Sequence, residues 1–149
     1  YAAEAITGKA VGAKDQRELK QLFAILAQWG LVLGLLFSLL FWLGGPALIG
    51  MLTSINEVQQ TAAIYLPWLI ALPLLSVWSY LLDGIYIGAT QARAMRNSML
   101  LSFAGFALCY VITDNLANHA LWLALCIFML LRGLSLAWPL RRTAAVLFN

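Results

Sequence analysis

Charge is what this sequence has least of. Nine Lys or Arg and six Asp or Glu make up 10% of 149 residues, while 63% are apolar. Soluble domains carry roughly a quarter charged and half apolar residues, and a chain of this size cannot hide such an apolar excess behind its own surface. The surplus has to face a second apolar phase, and a lipid bilayer is the one that fits. Cysteine is nearly absent too: Cys109 and Cys126 both lie inside apolar runs, which excludes a disulfide framework and leaves two small hydrophobes. The sequence holds no Ser/His/Asp set, no metal-ligand spacing and no phosphate loop, so an enzyme is not expected, nor any cofactor or metal. Its one histidine, His119, falls in a polar loop where a solvated imidazole is expected. A net charge of +3 would suit nucleic acid only if the basic residues formed a patch interleaved with aromatics; they sit instead in short clusters between apolar runs, so no nucleic-acid partner is expected.

What the sequence does have is long apolar runs. They predict an all-α integral membrane protein, a multi-pass helical bundle with helices at about 1–12, 17–43, 57–90, 95–113 and 118–140. The first is a stub and the other four are full spans. Leu22–Leu43 is 22 residues without a charge, enough to cross a hydrocarbon core of about 30 Å at about 1.5 Å per residue. Gly44, Gly45 and Pro46 are expected to break that helix, leaving Ala47–Ser54 at the interface. Asp15 with Glu18, and Asn56 with Gln59, have the spacing of helix starts. Pro73 should kink the next span. Gly30 and Gly34 have the spacing of close helix packing, and Gln28 is expected to bond a neighbouring helix. Because Tyr1 opens inside what reads as the end of a helix, a preceding portion of the polypeptide is expected.

The loops give an orientation. Lys9, Lys14, Arg17, Lys20, Arg93, Arg96, Arg141 and Arg142 fall on one side of the bilayer, and the loops around Asn56 and Asn118 carry no Lys or Arg. Positive residues mark the cytosolic side, so the C-terminus is expected there. Trp42, Tyr65, Trp68, Tyr110 and Trp122 cluster toward the opposite ends, as an outer aromatic belt does.

Charge inside a membrane helix is costly, about 3 kcal/mol at the bilayer centre on insertion scales, so it marks a cavity or a partner. Glu4, Asp83 and Arg132 are the three candidates. Counting about 1.5 Å per residue from the cytosolic edge puts each of them roughly 12–15 Å deep, near the midplane where transporter sites are built. Ser76, Ser79, Tyr80, Asp83, Tyr86 and Thr90 recur at three- and four-residue spacing and form a polar stripe. A carboxylate in such a stripe can take a proton or a cation at the same atoms, which is what an ion-coupled antiporter needs. The candidate substrate- and cation-binding residues are therefore Asp83, Tyr80, Ser79, Ser76, Glu4 and Arg132. Asp83 and Arg132 also fit a static interhelical pair, and Glu4 a group at the water interface.

The stretches YAAEAITGKAVG (1–12), YLPW (65–68), DGIYIGATQARAMRN (83–97), NHALWL (118–123) and LRG (131–133) resemble the multidrug and toxic compound extrusion family, in its DNA-damage-inducible branch. The resemblance runs along nearly the whole chain. It implies a twelve-helix transporter of two six-helix lobes in a bacterial inner membrane. This chain would supply the end of the eighth helix and the ninth to twelfth. Such transporters export organic cations or amphipathic compounds in exchange for protons or sodium. Asp83 looks like the acidic residue of the tenth helix that binds cations in some branches. The N-terminal lobe of the same polypeptide and the lipid bilayer are the implied partners, and the chain alone is expected to be inactive. A lipid-linked precursor flippase of the same superfamily is the alternative, but it would need several cavity-lining cations where only Arg132 lies deep. A non-transporting membrane scaffold is the third reading, and it has no use for three charges at one depth.

Overall fold

The computed structural model describes residues 2–13 and 16–139, and within these the chain is helical with no strand. The helices are α1 (Ala2–Gly12), α2 (Gln16–Leu52), α3 (Asn56–Gly88), α4 (Ala92–Ile112) and α5 (Asn118–Ala137), with a short 3-10 turn at Asp114–Leu116 before the last. Four of them are long and apolar enough to cross a membrane. Most of their large apolar side chains are exposed, Leu43 at 68% and Val111 at 70% among them, which is the surface that lipid or neighbouring helices cover. The chain is a multi-pass membrane protein.

Several boundaries differ from the sequence reading. Gly44, Gly45 and Pro46 do not end α2, which continues to Leu52 as a helix of 37 residues. In an apolar phase a backbone that leaves the helix has no water to bond, so helix breakers are tolerated inside membrane helices. Gly45 is buried, and a Cβ there would meet Leu66 Cγ and its methyl carbons at 2.6–3.2 Å, so α3 packs against the expected break. The second difference lies at Asn56, which is the first residue of α3 and not its cap. The preceding turn is closed instead by Thr53, whose hydroxyl accepts from the Ile55 N–H and whose carbonyl accepts from the Gln59 side chain. α4 also begins earlier than expected, at Ala92, so Arg93 and Arg96 occupy its first turns. Lys14 and Asp15, and with Asp15 the expected cap on α2, lie outside the described residues, as do Arg141 and Arg142.

α3 touches all four other helices. α2 runs antiparallel to it along a line of small residues: a Cβ on Gly30 would lie 3.2 Å from Val77, one on Gly34 3.4 Å from Leu74 and from the Pro73 carbonyl. One turn further on, the Ser38 hydroxyl donates to the Ile70 carbonyl at 2.7 Å. That carbonyl is next to Leu69, whose own helical donor Pro73 lacks. α1 lies on another face of α3, where a Cβ on Gly84 would meet Ala3 Cβ at 2.9 Å and one on Gly88 would meet the Glu4 carbonyl and, at 2.8 Å, Thr7 Cβ. Backbones approach this closely only through glycine.

Gly88→Ala is therefore expected to cost about 1–3 kcal/mol, since the obstructing atom is a backbone oxygen that cannot rotate away. Gly44→Ala, with nothing within 4 Å of the new methyl, is expected to be neutral or slightly stabilising. Thermal melts of the two variants in detergent read the difference.

Candidate functional site

Asp83 lies in the last third of α3 and Arg132 in the last third of α5. The two helices are parallel, and their facing residues keep a nearly constant offset. The Ser79 hydroxyl donates to the Met129 carbonyl at 2.7 Å, and the Tyr86 hydroxyl donates to the Leu136 carbonyl at 2.8 Å. Between these two rungs the Arg132 guanidinium grips Asp83 with two hydrogen bonds, Nε to Oδ2 at 2.9 Å and Nη2 to Oδ1 at 2.8 Å. This fork-to-carboxylate geometry is the strongest arrangement the two side chains can make. A third donor, Nη1, reaches the Met99 sulfur of α4 at 3.0 Å. Gly133, the residue after Arg132, is buried, and a Cβ on it would sit 3.5 Å from the Ser79 hydroxyl. A Cβ there would be in ordinary van der Waals contact with α3, so the two helices are closely packed at this level.

The surroundings differ on the two sides of the pair. Toward the end rich in Lys and Arg, Leu82, Tyr86 and Leu136 are packed at 0–3% exposure with Phe23, Ala94 and Met95 against them, a dry floor. Behind Arg132, α4 and α5 are joined by hydroxyls: Ser98 and Ser135 share a hydrogen bond of 2.6 Å, Ser135 donates to the Arg132 carbonyl and Ser102 to the Ser98 carbonyl. The pair itself is not sealed, for the side chains of Arg132 and Asp83 remain 13% and 18% exposed.

The six candidate residues divide into three groups. Asp83, Arg132 and Ser79 meet at the α3–α5 contact. Ser76 and Tyr80 do not share it: they line a separate cavity of about 390 Å³ with Phe41, Pro73 and Met129, toward the other end of α3, and Tyr80 is 64% exposed. The stripe thus has two edges that serve different neighbours, although Met129 belongs to both. Glu4 is at the right height, with its backbone nitrogen 3.7 Å from where a Gly84 Cβ would be. It approaches the face of α3 turned toward α1, however, and no ion pair joins it to Asp83 or Arg132 among the described residues.

Sequence reasoning missed Met99 and the Ser98–Ser102–Ser135 group. The serines could have been found, because Ser98 and Ser102 stand one turn apart in an otherwise apolar helix. Met99 carried no signal, being 33 residues from the arginine it touches. The expectation for His119 is corrected. It is half-buried, its Nδ1 accepts the indole N–H of Trp68 at 3.0 Å, and its ring lies 4.8 Å from that of Tyr65. The helical hairpin of α4 and α5 brings it to α3 in a way no local pattern reveals.

A bidentate carboxylate–guanidinium pair with hydroxyls around it joins the last thirds of α3 and α5. The MatE family model matches residues 1–116. DNA damage-inducible protein F of Escherichia coli (strain K12) is 49% identical over 142 residues, which are 95% of this chain and 31% of that protein. The chain thus spans about a third of the length of the curated relative it matches. No solved structure matches it. With more than three quarters of its length matched by the family model, the chain belongs to the MatE family, the multidrug and toxic compound extrusion transporters.

Proposed function

We propose that this chain forms part of one lobe of a secondary active exporter in the bacterial inner membrane, its C-terminus cytosolic, that expels organic cations or amphipathic compounds in exchange for protons or sodium ions. The observation that carries the reading is the Asp83–Arg132 pair, closed by two hydrogen bonds yet still partly accessible. In a medium of low dielectric the carboxylate needs a positive partner. Arg132 supplies it at rest. A proton on Asp83, or a cation arriving beside it, supplies it in the alternative state and releases the guanidinium. The two states differ in charge at one contact between α3 and α5, which is enough to bias a rocking motion of helices.

The rungs on either side make such a release tolerable. Ser79 and Tyr86 bond backbone carbonyls, which do not titrate, so α3 and α5 keep their register when the pair opens. The cavity lined by Ser76 and Tyr80 lies about one turn away and offers an apolar wall with one phenol ring, suited to the body of an amphipathic cation. Glu4 stands apart from the pair and belongs to the surface that the rest of the lobe would cover.

Two experiments test this. In the full-length protein, Asp83→Asn is expected to abolish ion-coupled efflux of a fluorescent cation from vesicles while insertion stays normal; unchanged efflux removes Asp83 from the mechanism. The exchange of both charges, Asp83→Arg with Arg132→Asp, separates coupling from mere cross-linking: it is expected to restore stability but not transport, whereas recovered transport means that the pair only holds the helices. For orientation, in a cysteine-free background Asn118→Cys is expected to react with an impermeant maleimide from outside intact spheroplasts, and Ala92→Cys only after permeabilisation. The opposite pattern reverses the topology.

A further inference from the structure

A second polar contact between α3 and α5 lies at the other end of the bundle, far from Asp83. Tyr65 and Trp68 of α3 meet His119 and Trp122 in the first turn of α5. The Trp68 indole N–H donates to His119 Nδ1 at 3.0 Å, and the Tyr65 ring lies 4.8 Å from the imidazole at an angle of 51°. Tyr65 in turn stacks on Trp122 at 6.4 Å and 18°. An indole can only donate, so Nδ1 carries no proton in this arrangement. Ala117, at φ 49°, turns the chain into α5 just before this point and so delivers His119 to α3.

We propose that His119 is a protonation site at the end of the bundle that lacks Lys and Arg, and that proton uptake exchanges its hydrogen bond to Trp68 for a cation–π contact with Tyr65. An imidazolium has N–H at both nitrogens, so Nδ1–H would confront the indole N–H, two donors with no acceptor between them. The Trp68 bond cannot survive that. The Tyr65 face is already within the roughly 6 Å at which a cation is attracted to an aromatic ring. The other titratable groups at this end are few. α3 carries Tyr65 itself and Glu57 in its first turn, the 3-10 turn carries Asp114, and the last turn of α4 carries Cys109 and Tyr110. The end of α2, residues 41–52, has none. Neither carboxylate is ion-paired with the imidazole among the described residues.

The exchange has a mechanical consequence. Tyr65 and Trp122 also line an apolar cavity of about 560 Å³ between the tips of α2 and α3 and the start of α5, together with Gly45, Leu48 and Leu66. Trp68 is the hydrogen-bonded tie that pins α3 to α5 beside that cavity. When the tie is released, the cavity can widen while Tyr65 still holds His119. Proton concentration on that side of the membrane thereby sets how firmly the two helices are joined. This inference does not depend on whether Asp83 couples transport.

The test is a pH titration of tryptophan emission from the full-length protein in lipid nanodiscs, with the Trp68→Phe trace subtracted to isolate Trp68. A single-proton transition in the Trp68 contribution is expected as the pH is lowered. It should vanish in His119→Gln, which keeps an acceptor but takes up no proton, and persist in Asp83→Asn. A flat trace from the unsubstituted protein overturns the proposal, whatever the variants do. So does an unchanged transition in His119→Gln.

Discussion

Two opposite charges held a hydrogen bond apart between two membrane helices constrain everything around them. Alone, Asp83 and Arg132 would each oppose insertion by about 3 kcal/mol; joined through two hydrogen bonds they compensate one another, and removing either partner from such a pair costs about 3–5 kcal/mol. The pair can close only if α3 and α5 run parallel in a fixed register with no side chain between them. Ser79 and Tyr86 provide the register. Since α3 also packs against α1, α2 and α4, the position of this one contact is transmitted to every described helix.

The division of labour between the rungs and the pair gives the site its character. A hydroxyl bonded to a backbone carbonyl in a membrane contributes on the order of 0.6 kcal/mol and is indifferent to pH or salt. The charged pair is several-fold stronger, and its strength depends on the charge state of one carboxylate. Geometry is thus set by weak contacts that stay constant, and energy by a strong contact that can change. On the proposed function, a lobe built this way keeps its helices aligned while the force between two of them varies. A packed interface with those properties has discrete arrangements open to it rather than a continuous range.

How much of this was legible in the sequence follows from the physics of each feature. That Asp83 and Arg132 stand at one level could be counted because the helix rise is constant, but the count to Arg93 and Arg141 overran the helix ends: α3 stops at Gly88 and α5 at Ala137, which leaves the pair about 8 Å from those ends instead of roughly 12–15 Å. Which charges would touch could not be counted, since that depends on rotation about the helix axis and on the order of helices in the bundle. At about 100° per residue, the stripe from Ser76 to Tyr86 covers roughly a third of the circumference of α3. That is too wide for one neighbour, so Ser79, Asp83 and Tyr86 went to α5 while Ser76 and Tyr80 went to a cavity. The continuation of α2 through Gly44, Gly45 and Pro46 was hidden because breakers tuned to water do not break helices in lipid. His119 read as a loop residue because its partner Trp68 is 51 positions away.

On the proposed function, the charge on Asp83 changes during transport. Difference infrared spectroscopy of the full-length protein in lipid observes this directly, by following the carboxyl band that disappears in Asp83→Asn. On lowering the pH, or on adding a transported cation, the band is expected to move from the ionised to the protonated position or to shift as Arg132 is displaced. An ionised band that stays fixed through every ion and substrate condition would mean that the pair is a permanent strut, and that coupling resides elsewhere in the protein.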